Sequence, residues 1–178
     1  MTTATTPLAG RYVADPIHSS FGFAVKHMGV NTFRGTLADV DATLTDGVLE
    51  GRAKGESISI NNPPEFRAHV LGEDFLDVAN HPEVTFRSAD LDLADDGTAT
   101  VRGELTVRGI ANDVVATGTW TGPAENPMGV QVVALELSAD VDRTQYGMSW
   151  NMPLPKGGNI LAERVTLNVH LELQRQEA

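Results

Sequence analysis

No cysteine occurs among these 178 residues. That removes disulfide frameworks, thiolate nucleophiles and zinc–thiolate sites. Basic side chains are also scarce: 13 Lys and Arg stand against 24 Asp and Glu, a formal net charge of −11. An average field of that sign repels nucleic acid and anionic membrane surfaces as main partners. Aromatic residues make up only 6% of the chain, too few to fill a long interior easily. No apolar run approaches the roughly 20 residues of a membrane-spanning helix. The opening stretch from Met1 to Gly10 has neither a basic patch nor an apolar core. It reads as a short disordered leader, not a signal peptide. The expectation is one cytoplasmic domain over residues 11–178, with no integral membrane segment.

What the chain has in abundance is alternation. From Arg164 to Leu173 apolar and polar residues alternate without a break, the pattern of a β-strand with one dry and one wet face. The same period recurs where Val101, Gly103, Leu105 and Val107 alternate with Arg102, Glu104, Thr106 and Arg108. Phe21, Phe23 and Val25 share a face near the start, and Val133, Leu135, Leu137 and Ala139 share one later. Ribbons of this kind must curl into a sandwich or barrel to hide their dry faces.

Strands are predicted over 11–15, 20–27, 33–44, 49–60, 84–93, 98–108, 113–120, 130–141 and 160–174, with turn residues between them. One short helix is predicted over 62–72, capped by Asn62, entered through Pro63 and stopped at Gly72. Phe66 and Val70 are four apart on it, so it should pack on or plug an opening. The fold class is therefore all-β: an extended antiparallel barrel of about eight strands with one short helical insert. A closed sheet of that size leaves room for side chains or for one slender ligand. Small residues on the shared faces, among them Gly35, Gly103 and Ala116, favour a ligand-holding cavity.

Chemistry is hard to find. The histidines, His18, His27, His69, His81 and His170, show no ligand spacing. Only a metal site assembled from distant segments is left open, so no metal and no cofactor is assigned. There is no Gly-x-Ser-x-Gly elbow, no phosphate-binding loop and no calcium-loop pattern. The acidic turn Asp95-Asp96-Gly97 reads as a hairpin.

Four stretches together resemble the YceI-like family, the lipid-binding barrels also called polyisoprenoid-binding proteins. Asp15-Pro16-Ile17-His18-Ser19-Ser20-Phe21-Gly22-Phe23 through Gly29 is similar to that family's D-x-x-H-S-x-I-x-F opening. Arg67-Ala68-His69-Val70, with Asp74-Phe75-Leu76-Asp77-Val78 and His81-Pro82-Glu83-Val84-Thr85-Phe86, resembles its R-x-x-H-L … F-L-D-V block. Gly103-Glu104-Leu105-Thr106-Val107-Arg108-Gly109 and Arg143-Thr144-Gln145-Tyr146-Gly147-Met148-Ser149-Trp150 complete the set. The chain departs from the pattern at Val70-Leu71-Gly72-Glu73, which lacks an arginine usual after the histidine.

The resemblance implies a lipocalin-like barrel with an elongated apolar pocket, and non-covalent, non-catalytic binding of an isoprenoid or other long-chain lipid for transport or storage. Phe21, Phe23, Val25, Phe33, Phe66, Val70, Phe75, Phe86, Leu105, Val107, Leu135, Leu137, Trp150, Leu167 and Val169 are the candidate wall residues. Arg67 and His69 are the headgroup candidates, or they tie down the loop through Asp74 or Asp77. Arg143 is a candidate loop anchor. Competing readings are a barrel enzyme on an isoprenoid-like substrate and a dry-cored stress or scaffold protein. A homodimer is compatible with all of them.

Overall fold

The computed structural model describes residues 8–177. Its architecture is all-β, with ten strands in one antiparallel sheet. They are β1 (Arg11–Ala14), β2 (Ser20–His27), β3 (Asn31–Leu37), β4 (Val40–Thr45), β5 (Val48–Lys54), β6 (Glu83–Leu93), β7 (Thr98–Val107), β8 (Ile110–Glu125), β9 (Gln131–Asp142) and β10 (Leu161–Arg175). Among the described residues there is a single α-helix, α1 (Pro64–Leu71), between β5 and β6. The sheet closes because β1 pairs with both β4 and β10. β1 and β2 line up along β10, and β3 and β4 line up beside them, so these pairs act as two broken staves. The result is a closed barrel of eight staves.

Alternation puts the expected residues inside. Along β7 Ala99, Val101, Gly103, Leu105 and Val107 are buried and the intervening residues are not. In β9 Val133, Leu135, Leu137 and Ala139 are buried. The two-residue turn at Asp46-Gly47 has φ of 47° and 85°, the left-handed backbone that tight hairpins need and that Asp and Gly tolerate.

Several boundaries differ from the sequence reading, each for a physical reason. The strand expected over 33–44 breaks at Ala38-Asp39, where the stave changes partners: Ala38 N–H donates to Ser57 O, and Asp39 O accepts from Lys54 N–H. The strand expected over 49–60 stops at Lys54 and turns through a 3-10 segment, Gly55–Ser57. A Cβ on Gly55 would lie 2.6 Å from Val78 Cγ1, so glycine there lets the 72–82 loop pack directly on the barrel. The helix is capped at Pro63 without a side-chain hydrogen bond, so the Asn62 cap is wrong. β8 runs to both sides of the expected 113–120. Residues 1–7 of the expected leader lie outside the described residues. Leu8 packs on the core, and Gly10 N–H donates to Asp46 Oδ1 at 2.8 Å, so residues 8–10 belong to the barrel.

The two ends of the barrel differ. At the end holding the Asp46-Gly47 turn, Tyr12, Leu44, Val133, Leu135 and Leu173 form a dry, packed plug. The opposite end carries α1, the 72–82 loop and the segment 143–160, and its interior is hollow.

Candidate functional site

The hollow end encloses a cavity of about 470 Å³, within the range of small-molecule sites. β2 and β3 supply Phe21, Phe23, Val25 and Phe33 to its wall. Strands β7 and β10 add Leu105, Val107, Val165 and Leu167, and the helical insert adds Phe66, Val70 and Phe75. Trp150 closes it from the 143–160 segment. Of the six Phe, two Tyr and two Trp, all but Tyr12, Phe86 and Trp120 line this one space. A second void of about 100 Å³ lies deeper, lined by Phe86, Leu137 and Val169, and shares Phe21, Val84, Leu105 and Leu167 with the first.

Two aromatic groups frame the main cavity. Phe33 packs against Phe23 and Phe66 at centroid distances of 6.2 and 6.1 Å. His69 stands edge-on to Trp150 at 4.7 Å and to Phe75 at 5.1 Å. These are favourable tilted and edge-to-face contacts, and α1 contributes one member to each group.

Leu135 and Arg67 are not where the sequence placed them. Leu135 has the right face but the wrong depth: it is fully buried in the packed plug and lines neither void. Period-2 writing fixes the face of a residue and says nothing of its height along the barrel. Arg67 turns away from the cavity. Its guanidinium donates to the carbonyls of Glu56, Ile58 and Ile60 at 2.7, 3.1 and 3.0 Å, which lack strand partners once β5 has ended. His69 does line the cavity, and its Nε2 lies 3.1 Å from Asp74 Oδ2.

The three arginines in the motif stretches have one job in common. Arg108 donates through Nη1 to Glu73 O and Phe75 O. Arg143, 3% exposed, donates to the carbonyls of Ala162, Met148, Trp150 and Leu161. Arg67, Arg108 and Arg143 thus each staple one mouth loop by its backbone. Burial pulls the Arg143 guanidinium below its ordinary pKa, while Glu163 and Asp142 push it back up. It remains a cation at physiological pH. Asp142, held below the usual carboxylate range by the hydroxyl and amide of Thr144, caps the turn that positions Arg143.

Sequence reasoning missed several lining residues. Val84, Val141 and Val165 continue the dry faces of their strands, so parity could have found them. Met148 and Ile160 come from irregular backbone with no periodic signal, and Leu161 opens β10 ahead of a register shift that breaks its parity. His27 and Asn31, a cross-strand pair at the tip of the β2–β3 hairpin, also line the cavity. With His69, Arg143 and Tyr146 they are its polar contributors among the described residues. An interior free of acid–base groups was expected, and the two imidazoles correct that. Among the described residues no Ser, Thr or carboxylate lines the space. Tyr146 is almost fully buried, and its Oη makes no hydrogen bond of good geometry. Burial raises its phenol pKa, and the nearby Asn112 amide offsets part of that rise.

Among the described residues one group has metal-ligand chemistry: Asp15, His18 and Glu172 bring donor atoms within 4.8 Å of one another. It lies outside the cavity lining and works as a clasp. Asp15 Oδ2 meets His18 Nδ1 at 2.7 Å and accepts from Gln174 Nε2 at 3.2 Å, and Asp15 Oδ1 accepts from Ile17 N–H. The first motif stretch therefore ties the β1–β2 corner to β10.

Comparison with known proteins agrees with this geometry. A family model described as a YceI-like domain matches residues 12–173. A UPF0312 protein of Staphylococcus aureus is 27% identical over 173 residues, covering 93% of this chain and 98% of its own. The crystal structure of the Campylobacter jejuni YceI protein superposes with a TM-score of 0.71 at 20% identity, over 85% of this chain and 90% of that one. A structure described as a polyisoprenoid binding domain from Saccharophagus degradans gives 0.68 at 9% identity, over 95% of this chain and 100% of that one. No helix among the described residues is long and apolar enough to cross a membrane.

Proposed function

The chain belongs to the YceI-like family, and from that premise we propose that it binds an isoprenoid or another long-chain lipid non-covalently, as a carrier or store, without catalysis. The observation that carries this reading is the cavity of about 470 Å³, walled by aromatic and aliphatic side chains with five polar contributors. Apolar walls favour a ligand through the area they remove from water. Each buried CH₂ contributes about 0.8 kcal/mol, so about two or three isoprene units reach micromolar affinity after association costs. The name of the Saccharophagus degradans domain points the same way. A cytoplasmic site of action is part of the proposal, and cell fractionation checks it.

The polar end of the ligand faces His27, Asn31 and His69 in this reading. The arginines near the mouth are spent on backbone carbonyls, which leaves no free guanidinium in the lining for a phosphate. A hydroxyl or carbonyl head suits such a site better than a diphosphate.

The test is a titration of delipidated protein with a fluorescent long-chain probe, followed by displacement with geranylgeraniol. Saturable, one-to-one uptake in the micromolar range or tighter is expected. Absence of saturable uptake of either molecule would overturn the proposal.

A further inference from the structure

The acidic residues are unevenly placed. Although the chain carries 24 of them, none falls within residues 16–38 or 143–162. These two stretches meet in space at the cavity mouth. Met28 N–H donates to Ile160 O at 2.7 Å, Ile160 N–H donates to Met152 O at 2.8 Å, and His27 pairs with Leu161. The acid-free zone is thus one continuous surface made of the β2–β3 hairpin and the 152–160 hairpin.

That surface is both apolar and cationic. Val30 is 82% exposed, and Met28 and Met152 are about half exposed. Lys26, Arg34 and Lys156 are exposed beside them and make no ion pair among the described residues. On the barrel wall the pattern is the reverse: Arg52, Lys54, Arg87 and Arg102 each face a carboxylate. Acids around the mouth sit outside these hairpins: Glu65, Glu73 and Asp74 on the helical insert and its exit, and Asp142 and Glu163 beside the buried Arg143.

We propose that these two hairpins dock the mouth of the barrel on an anionic lipid bilayer. Met28, Val30 and Met152 enter the boundary between headgroups and acyl chains, and Lys26, Arg34 and Lys156 meet lipid phosphates. A net charge of −11 does not forbid this. Fields from the far end of the barrel are screened beyond about 8 Å at physiological ionic strength. Any other orientation would bring the carboxylates of the barrel body within that distance of the membrane, where repulsion disfavours it. The occupant is a membrane and not a second copy, because a copy would bring the same three unpaired cations against themselves. The surface is continuous with the cavity through His27 and Leu161, so docking sets the opening against the source of an apolar chain. The proposal does not depend on which lipid the cavity holds.

The test is co-sedimentation of the full chain with vesicles of phosphatidylcholine alone and of phosphatidylcholine with roughly one third phosphatidylglycerol. Binding to the anionic vesicles, weakened by salt, is the expected result. Val30→Asp and Lys156→Glu should each lower partitioning on the order of tenfold. Met128→Asp, on a residue 81% exposed at the far end, should leave it unchanged. All three positions are exposed, so the fold tolerates the changes, and melting curves verify that. No binding to either vesicle, equal binding to both, or binding untouched by Val30→Asp and Lys156→Glu would overturn the proposal. So would vesicle-free self-association that Val30→Asp abolishes, which would make the surface a contact between copies.

Discussion

The ring of Phe23 lies across Gly35 on the neighbouring strand: a Cβ built at position 35 would stand 2.7 Å from Phe23 Cε1. The two are direct cross-strand partners, and the missing side chain of one is the seat of the other. Gly35→Ala should therefore tilt Phe23 into the cavity. The expected cost is about 1–3 kcal/mol of stability together with weaker uptake of a long-chain probe. Thermal melting and probe titration on the same preparation measure both. Wild-type values in both would mean that the ring relocates freely.

A charge at the same place is more severe. Phe23→Asp puts a carboxylate among Phe33, Phe66 and Val25, where it must stay unsolvated or take up a proton. Lipid uptake should vanish, and stability should fall by about 3–5 kcal/mol. A variant with normal melting and normal uptake would show that residue 23 does not face the cavity.

These relationships also show what was readable beforehand. The alternation of β7, β9 and β10 was plain in the letters, because a half-buried strand leaves no freedom in which residues go inside. Fold class and most of the wall residues, from Phe21 to Leu167, follow from that parity and from the motif resemblance. Small residues are a weaker signal. In the sequence Gly35 and Gly103 read as open space, yet they seat the rings of Phe23 and Phe86, and a Cβ at 103 would lie 2.7 Å from Phe86 Cζ. Nor could periodicity reach depth, which misplaced Leu135, or the partners of Arg67, which are carbonyls 7 to 11 residues upstream. Backbone groups that lose their ladder carry no mark in the sequence.

Arg143→Met tests the stapling. It leaves the carbonyls of Met148, Trp150, Leu161 and Ala162 without their shared donor, at an expected cost of about 3 kcal/mol or more. Hydrogen exchange should rise across residues 147–162 before it rises in β7 or β9. Uniform protection in the variant would show that the loop is held by its apolar contacts alone.

The clasp at Asp15 and His18 gives a pH dependence with a definite sign. The hydrogen bond to His18 holds Asp15 below its ordinary 3.8, and the bond to Asp15, with the Glu172 charge, holds His18 above its ordinary 6.5. The His18 contribution is complete below pH 6.5 and is lost as pH rises through its folded value. The Asp15 contribution is present above pH 3.8 and is lost as pH falls through its folded value. Stability from this pair is therefore greatest between those limits. Chemical denaturation of the wild type and of His18→Ala should converge as pH rises above neutrality. A constant difference up to pH 9 would mean that the imidazolium plays no part.

Geranylgeraniol should bind at least as tightly as geranylgeranyl diphosphate, because Arg67 and Arg108 do not line the cavity and Arg143, which does, is held by four backbone carbonyls. Competition against one fluorescent probe ranks the two. A diphosphate at least tenfold tighter would assign the head to a cationic site that these arginines do not provide.

The central claim, a lipid held unchanged in the barrel, is tested most directly by native mass spectrometry of the protein purified from cells, followed by extraction of whatever travels with it. The account predicts a discrete added mass that organic solvent removes, that returns when the extract or a prenyl alcohol is added back, and that is recovered chemically unaltered. A protein that carries no added mass and takes up none after delipidation, or one that returns its ligand cleaved or isomerised, would contradict it.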